Sequence, residues 1–308
     1  MSIISKVVGC GGYLPENVVT NEDLAKKIDT SDEWIVARTG IRQRHMAKDG
    51  EMTSDLAYRA AKRAVDSAGI DPKNIDLIVV GTTTPDDTFP ASAVKVQSRL
   101  GLAGGAAFDV QAACSGFIYA LSVADSMIRA GQIKTAIVIG ADTLSKLLNW
   151  EDRTTCVLFG DGAGAVVLQA QQLNGEATPA GVLSTHLHSD GNLRDILYCE
   201  SDLVVGADSR VIKMEGKEVF KHAVERLFHG TRQCLDDHDV PITSVDWVVP
   251  HQANVRILDQ VAKMLGVPER KMIKTLKTHA NTSAASIPLA LHSAIECRQI
   301  RPAHRLLL

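Results

Sequence analysis

The sequence predicts an α/β protein in which two similar halves each carry buried parallel strands and layers of helices. Apolar residues run without interruption through 77–80 and 136–139, which is typical of strands buried on both faces. Between such runs lie longer segments of helical pattern that begin at a capping Ser, Thr or Asn and end at glycine. The same order of signals returns later in the chain, which favours a second copy of the unit.

Three short segments of the first half return in the same order in the second half. Residues 75–79 match 245–249 at an offset of 170, residues 100–102 match 265–267, and residues 132–134 match 299–301. One match of this kind is compatible with coincidence between apolar patterns, but three in order favour a duplication. We therefore divide the chain into an N-terminal half, 1–172, and a C-terminal half, 173–308.

The C-terminal half is shorter than the repeat requires. The first half continues beyond its strand at 136–139, through a glycine-rich turn at 159–164, into a further strand at 165–170. The second half stops at 308, so we expect it to lack the corresponding last Gly-rich turn and strand. A truncated sequence explains this ending as well as a natural one does.

The remaining elements follow from the same signals, taken in chain order. The predicted strands lie at 3–8, 77–80, from 107, at 136–139, at 165–170 and at 181–187. The predicted helices lie at 22–28, within 29–40, at 53–69, at 91–101 and at 118–131. Neither glycine cluster, at 9–12 or at 159–164, leads into a helix, which argues against a phosphate-binding loop.

Composition excludes several classes of protein. The chain has 308 residues, of which 45% are hydrophobic and 22% charged, as in soluble globular proteins. Its net charge of −3 and its 4% aromatic content give no signal for nucleic acid. No apolar run approaches the ~18 residues of a membrane span, and no signal peptide precedes the first strand. We expect a cytoplasmic protein whose six cysteines form neither disulfides nor a metal site.

Cys114 is the first candidate functional residue, because it stands where a strand turns into a long helix. Its neighbours at 112, 113, 115 and 116 are small, which leaves room for a ligand to reach the sulfur. Unpaired N–H groups and the positive end of the helix dipole favour the thiolate, the nucleophilic form. We interpret Cys114 as a nucleophile, although this stretch alone is equally compatible with a buried, inert cysteine.

Two polar residues occupy comparable positions in the second half. His251 follows a buried strand and precedes a helix, where open α/β sheets bind their ligands. Asn281 precedes a helix, as Cys114 does, so a pseudo-twofold fold would bring these two residues face to face. Taken singly, a helix-capping Asn281 and an ordinary strand-end His251 are equally compatible. Together the three residues favour a nucleophile served by two hydrogen-bond donors.

The motifs around these residues resemble the three active-site motifs of β-ketoacyl-acyl-carrier-protein synthase III. They are Ala-Cys-Ser-Gly-Phe at 113–117, Pro-His-Gln-Ala-Asn at 250–254 and Asn-Thr-Ser-Ala-Ala-Ser at 281–286. The segments at 30–41 and 159–164 also match family signatures, so the resemblance covers nearly the whole chain. It implies a thiolase-like fold with two similar halves in a five-layer αβαβα arrangement, and a homodimer. The family normally ends in a glycine-rich turn that this sequence does not contain.

The resemblance implies the priming step of type II fatty-acid synthesis. Acetyl-CoA and malonyl-acyl carrier protein would give acetoacetyl-acyl carrier protein, CoA and CO2 through an acetyl-Cys114 intermediate. His251 and Asn281 would donate hydrogen bonds to the enolate that forms on decarboxylation. No cofactor or metal is implied, because acetyl-CoA is a substrate.

The resemblance also assigns residues that would contact the acyl-CoA, the acyl carrier protein and a second subunit. Trp34 and Arg153 would flank the adenine of CoA, with Arg38 and Thr30 beside them. Phe89 of a dimer partner would close a short acyl pocket. The carrier protein would dock on a segment that carries basic residues and comprises Gln252, Ala253, Asn254, Val255 and Arg256, together with Lys221.

Two other functions stay open at this point. A related condensing enzyme or acyltransferase of secondary metabolism would load a different acyl group on the same fold. A catalytically weak acyl-CoA-binding subunit would follow from the missing C-terminal turn, which normally supplies one N–H group to the oxyanion hole.

Overall fold

The computed structural model describes residues 3–173, 180–201 and 210–308. In chain order, its strands are β1 (Ile3–Tyr13), β2 (Asn17–Thr20), β3 (Gln43–Met46), β4 (Leu77–Gly81), β5 (Ala106–Val110), β6 (Thr135–Thr143), β7 (Asp161–Gln172), β8 (Leu197–Tyr198), β9 (Lys213–Met214), β10 (Trp247–Val248) and β11 (Leu306–Leu307). Its α-helices are α1 (Asn21–Ala25), α2 (Asp32–Thr39), α3 (Thr53–Ala68), α4 (Ser92–Arg99), α5 (Gly116–Arg129), α6 (Gly216–Asp236), α7 (Val255–Leu265), α8 (Leu276–His279) and α9 (Ser286–Glu296).

The first half is organised around a five-stranded sheet in the order β1–β7–β6–β4–β5. β4 runs parallel to β5 and to β6, whereas β7 runs antiparallel to both β6 and β1. The parallel strands β4 and β6 are buried along their whole length, which explains their uninterrupted apolar sequences. The sequence-based prediction of buried parallel strands is therefore confirmed for β4 and β6, which belong to a mixed sheet.

Alternate residues of these strands face two different helix layers. Leu77 of β4 packs in one cluster with Phe117 of α5, whereas Ile78 packs in another with Leu56 of α3. The first cluster also contains Leu291 of α9 and Val249, which follows β10 in the second half. Helices α5 and α9 therefore form a central layer between the large sheet and the strands of the second half.

The outer helices of the second half complete the layering. Val248 of β10 and Leu307 of β11 pack with Val224 of α6 and Val261 of α7, on the side away from the central helices. The layers are therefore α3 and α4, the first sheet, α5 and α9, the second-half strands, and α6 and α7. This arrangement is the five-layer αβαβα fold that the sequence predicts.

The strand register repeats between the halves. Parallel β10 and β11 pair Trp247 with Leu306, and β4 and β6 pair Leu77 with Ala136. Trp247 lies 170 positions after Leu77, and Leu306 lies 170 positions after Ala136. The same offset relates residues 245–249 to residues 75–79 in the sequence repeat. The register of backbone hydrogen bonds thus agrees with the duplication.

The backbone conformation repeats in the turns as well. Ala113 and Ser283, which are also 170 residues apart, both have positive φ angles, of 46° and 50°. Each opens a single 3-10 turn that leads directly into α5 or α9. Positive φ is uncommon for residues with a side chain. Its recurrence at equivalent positions indicates that this turn has the same backbone conformation in both halves.

One predicted strand is wrong. Residues 181–187 form no strand, although Val182 donates a backbone hydrogen bond to the carbonyl of Ser5. A strand needs a continuous ladder of backbone partners, and within the described part of the chain this segment has only that isolated bond. The first helix is also shorter than predicted, since α1 ends at Ala25.

The described helices include none that is both long enough and apolar enough to span a membrane.

The two halves approach most closely where β6 passes the turn before α9. A Cβ atom on Gly140 would lie 2.1 Å from the carbonyl oxygen of Ala284, which belongs to that turn. We expect Gly140→Ala to lower the free energy of unfolding by about 1–3 kcal/mol or more, because two rigid backbones would have to separate. Thermal unfolding monitored by circular dichroism measures this change.

Gly104→Ala is the matched control, because a Cβ there meets nothing within 4 Å. Equal melting temperatures for the two variants would contradict the close approach of the halves.

Candidate active site

Cys114 lies in the 3-10 turn between β5 and α5. The turn spans Ala113–Ser115, and α5 begins at Gly116, so the thiol stands at the start of the helix as predicted. Gly116 allows close packing there, because a Cβ would lie in tight contact, at 3.3 Å, with both the side chain of Ala284 and the backbone of Gly81. The Cys114 side chain is half-buried.

The protonation state of Cys114 differs from the sequence-based expectation. Burial raises the pKa of the Cys114 thiol to about 11, and the nearby Asp142 carboxylate raises it further. Hydrogen bonds from the Ser283 hydroxyl and from its own N–H group act in the opposite direction but do not outweigh burial. The prediction of a ready-made thiolate is therefore wrong: in the free protein Cys114 is a thiol at neutral pH.

Asn281 lies on the opposite side of the interface between the halves. Its Oδ1 accepts a hydrogen bond of 2.9 Å from the N–H of Ser283, and its side chain is almost fully buried. Its backbone N–H donates to the carbonyl of Leu158, and its carbonyl accepts from Gly160. With Oδ1 occupied, the Nδ2 group of Asn281 is left to donate to a ligand, since no described residue accepts from it.

His251 follows β10 and is held by one side-chain contact. Its Nδ1 lies 2.6 Å from the hydroxyl oxygen of Ser286. Burial lowers the pKa of His251 to about 4, so the imidazole is neutral at physiological pH. A neutral imidazole carries one N–H donor and one acceptor nitrogen, which suits it to hydrogen bonding better than to holding a second proton.

One segment brings the three residues together. The Ser283 hydroxyl lies close enough to Cys114 to lower the pKa of its thiol, Ser286 hydrogen-bonds His251, and Asn281 begins the same segment. One segment of the second half is thus in contact with the cysteine of the first half and with His251, and the roles assigned to the three residues stay predictions. A nucleophile beside two neutral donors can form an acyl thioester and then stabilise an oxyanion.

Asp142 is a neighbour of the site that the sequence analysis missed. Its buried carboxylate accepts a hydrogen bond of 3.2 Å from the N–H of Ala284, on the other half of the molecule. The same carboxylate accepts from the hydroxyls of Thr82, Thr83 and Thr84 and from the Thr83 N–H. Asp142 thereby fixes the segment that carries Asn281. An aspartate three residues after the apolar run at 136–139 was the available signal.

The residues assigned to CoA binding form a separate surface cluster. The guanidinium of Arg38 lies 4.3 Å from the centre of the Trp34 ring, and that of Arg153 lies 5.1 Å from it. Arg153 also donates to the carbonyl and the carboxylate of Asp29. The Thr30 hydroxyl, in the same loop, is buried without a partner among the described residues. The cluster thus offers an aromatic face, two cations and a hydroxyl.

The remaining predicted residues lie on different surfaces. Phe89 is 83% exposed, which is unusual for a phenylalanine. Arg256 and Lys221 are exposed, and the Arg256 guanidinium lies over the Phe220 ring at 5.7 Å, which links α7 to α6.

Of the other docking residues, Ala253, Asn254 and Val255 are half-buried. Gln252 departs from its expected role on a docking surface. Its side chain is fully buried, where it donates to the carbonyls of Pro250 and Ile273 and accepts from the N–H groups of Thr275 and Leu276.

Comparison with known families agrees with this geometry. The family model described as 3-oxoacyl-[acyl-carrier-protein (ACP)] synthase III matches residues 108–191. The model of the C-terminal part of the same family matches residues 235–308. The two matches contain Cys114, His251 and Asn281.

Curated relatives extend the similarity over the full chain. The β-ketoacyl-[acyl-carrier-protein] synthase III of Paramagnetospirillum magneticum is 56% identical over 308 residues, which cover 100% of this chain and 95% of the relative. The enzyme of the same name from Rhodospirillum centenum is 55% identical over 295 residues, covering 96% of this chain and 91% of the relative.

Solved structures share the fold. The 3-oxoacyl-[acyl-carrier-protein] synthase III of Aquifex aeolicus superposes with a TM-score of 0.91 at 44% identity, covering 98% of this chain and 94% of that one. The corresponding enzyme of Pseudomonas aeruginosa gives 0.92 at 41% identity, covering 99% and 93%. Layered fold, site geometry and full-length similarity lead to one conclusion: the chain belongs to the β-ketoacyl-[acyl-carrier-protein] synthase III family of acyl-transferring condensing enzymes.

Proposed function

We propose that this protein condenses acetyl-CoA with malonyl-acyl carrier protein to give acetoacetyl-acyl carrier protein, CoA and CO2. This is the priming condensation of fatty-acid synthesis. The observation that carries the proposal is the convergence of Cys114, His251 and Asn281 on the segment 281–286. The reaction needs no cofactor beyond its substrates, and we assign it to the cytoplasm.

Acylation comes first in the proposed cycle. The Cys114 sulfur attacks the thioester carbonyl of acetyl-CoA and forms a new C–S bond. The bond from the carbonyl carbon to the CoA sulfur then breaks, and the Cys114 proton passes to that sulfur, so that CoA leaves as its free thiol. The N–H group of Cys114 is positioned to stabilise the tetrahedral oxyanion, and loss of one such donor typically slows a reaction by ~10²–10³. The product of this step is acetyl-Cys114.

Condensation follows when the malonyl group enters. Loss of CO2 leaves an enolate whose oxygen accepts hydrogen bonds from His251 and Asn281. The carbanion attacks the acetyl carbonyl, a C–C bond forms, the bond from that carbon to the Cys114 sulfur breaks, and the released Cys114 thiolate takes up a proton. Both donors are neutral, because burial keeps the imidazole unprotonated and an amide carries no charge. Neutral donors suit decarboxylation, since they stabilise negative charge where it develops without binding the malonyl carboxylate tightly beforehand.

The Trp34 cluster is the proposed site for the nucleotide end of CoA. Adenine is flat and can stack on the indole of Trp34. The Arg153 guanidinium lies 5.1 Å from the centre of the same indole ring. Arg38 and Arg153 supply positive charge for the phosphates, and the unpartnered Thr30 hydroxyl supplies a further hydrogen bond.

The acyl carrier protein is the proposed partner of the exposed cations. Arg256, at the start of α7, and Lys221, on α6, would meet acidic side chains of the carrier. Because the Gln252 side chain is buried, its contribution is to shape the turn after His251 and not to contact the carrier.

A homodimer is proposed through the edge of the first sheet. β5 pairs only with β4 among the described strands, and its residues are not buried although the sheet behind it is. An open edge of this kind is a template for strand pairing. The exposed Phe89 would then enter the neighbouring subunit and limit the length of the acyl group. The two curated relatives described above share one name, which favours the fatty-acid function over either alternative.

Incubation with acetyl-CoA tests the first step. We expect one acetyl group per chain by intact mass, and none in Cys114→Ala. Cys297→Ala is the matched control, because Cys297 is exposed and outside the site. Acetylation of Cys114→Ala to the wild-type level would overturn the assignment of the nucleophile.

The pH dependence of alkylation tests the state of the thiol. Because the pKa of Cys114 is about 11, its thiolate fraction and its rate of reaction with iodoacetamide rise about tenfold per pH unit from neutral pH upward. Peptide mapping of the quenched reaction separates Cys114 from the exposed Cys199 and Cys297. A rate that stays constant between about pH 6 and pH 9 would mean that the free protein holds a thiolate.

A series of acyl-CoA primers, each offered with malonyl-acyl carrier protein, tests the specificity. We expect acetyl-CoA to give the highest kcat/KM and Phe89→Ala to shift the preference toward longer primers, because a large side chain is removed from the proposed pocket end. Preference of the wild-type protein for long or aromatic primers would favour the secondary-metabolism alternative instead.

A further inference from the structure

The duplication brings one pair of positions together in both halves. At the offset of 170, Gly81 at the end of β4 corresponds to His251, and Gly116 at the start of α5 corresponds to Ser286 at the start of α9. In the first half the two glycine backbones are in contact, since a Cβ on Gly81 would lie 2.4 Å from the carbonyl carbon of Gly116. That pair leaves no space for side chains.

In the second half the same two positions carry side chains that hydrogen-bond each other. His251 Nδ1 and Ser286 Oγ are 2.6 Å apart, and Ser286 ends the segment 281–286 that begins with Asn281. The same contact between a strand end and a helix start is therefore a close backbone packing contact in the first half and a side-chain hydrogen bond in the second half. The difference falls in the half that supplies the hydrogen-bond donors.

The surroundings of Ser286 favour one direction for this hydrogen bond. Its oxygen already accepts a bond of 3.3 Å from the N–H of Gln252, so its own proton is available to donate, and His251 Nδ1 is the acceptor within reach. A neutral imidazole that accepts at Nδ1 carries its proton on Nε2. The Nε2–H group is then the one left to point toward substrate.

We propose that Ser286 is a positioning residue that holds His251 in the Nε2–H tautomer and thereby makes it a donor to the enolate oxygen. This inference rests on the role proposed above for His251. It separates two functions within the segment 281–286: Ser283 contacts the nucleophile, whereas Ser286 prepares the imidazole for decarboxylation.

A merely structural Ser286 would have different consequences. Ser286 is 2% exposed and begins α9, so its replacement could weaken the helix start and impair every step of the cycle equally. A positioning role affects only the step in which His251 donates. The two half-reactions therefore distinguish the roles, because acetyl transfer to Cys114 precedes decarboxylation.

The first experiment compares Ser286→Ala with Ser286→Thr. We expect Ser286→Ala to decarboxylate malonyl-acyl carrier protein ~10–100-fold more slowly, as is typical when a partner that orients a functional histidine is lost. Its kcat for acetyl transfer to Cys114, its KM for acetyl-CoA and its melting temperature should stay within about twofold or a few degrees of wild type. Ser286→Thr, which restores the hydroxyl, should recover most of the decarboxylation rate.

Ser5→Ala is the matched control, because Ser5 is fully buried and its hydroxyl has no partner among the described residues. It should leave both half-reactions unchanged. Equal losses of acetylation and decarboxylation in Ser286→Ala, or no loss in either, would overturn the positioning role. A wild-type protein that is never acetylated would instead overturn the proposed function.

The second experiment observes the tautomer directly. In protein labelled with 15N-histidine, the ring signals of His251 are assigned by their absence in His251→Gln. We expect a protonated Nε2 and an unprotonated Nδ1 in wild type, and a mixture of both tautomers in Ser286→Ala. A wild-type signal from protonated Nδ1 would overturn the inference whatever the kinetics of the variants.

Discussion

The hydrogen bond between Asp142 and the Ala284 N–H is the constraint on which the site depends. It joins residues 142 positions apart, at the end of β6 and in the turn before α9. Gly140 lets the two backbones come close enough for it to form. Because Asn281, Ser283 and Ser286 all lie within a few residues of that bond, its geometry sets their distances from Cys114 and His251. The chemistry of one half is thus positioned by the sheet of the other.

Burial at this interface determines the charges of the site. The same loss of solvent that raises the pKa of Cys114 to about 11 lowers that of His251 to about 4. Neither of these two side chains is therefore charged at neutral pH, although the buried Asp142 carboxyl group lies nearby. In the proposed condensation the two neutral donors, His251 and Asn281, would face the negative charge that develops on the enolate oxygen. Such preorganisation is the main source of electrostatic catalysis in many enzymes.

Sequence patterns predicted the features that depend on local order. The apolar runs at 77–80 and 136–139, the offset of 170 and the positions of Cys114 and His251 after strands reflect periodicity or turn chemistry, which short segments carry. Asn281 precedes α9, but it follows α8 and not a strand. The thiol pKa, the burial of Gln252 and the role of Asp142 depend on contacts between distant segments, which no local pattern encodes. The missing strand at 181–187 has the same cause, since strand formation requires a partner elsewhere.

The arginines stacked on Trp34 have a consequence for nucleotide exchange at the CoA site proposed above. Two guanidinium groups already lie over the Trp34 ring, at 4.3 and 5.1 Å from its centre. An adenine that stacks on this ring would displace a cation–π contact worth about 0.5–1 kcal/mol for each contact that it forms. Arrival and departure of the nucleotide are then nearly balanced exchanges at an exposed surface. A substrate of the size of CoA, bound in this way, would be recognised by the enzyme and would still dissociate quickly after its acyl group has been transferred.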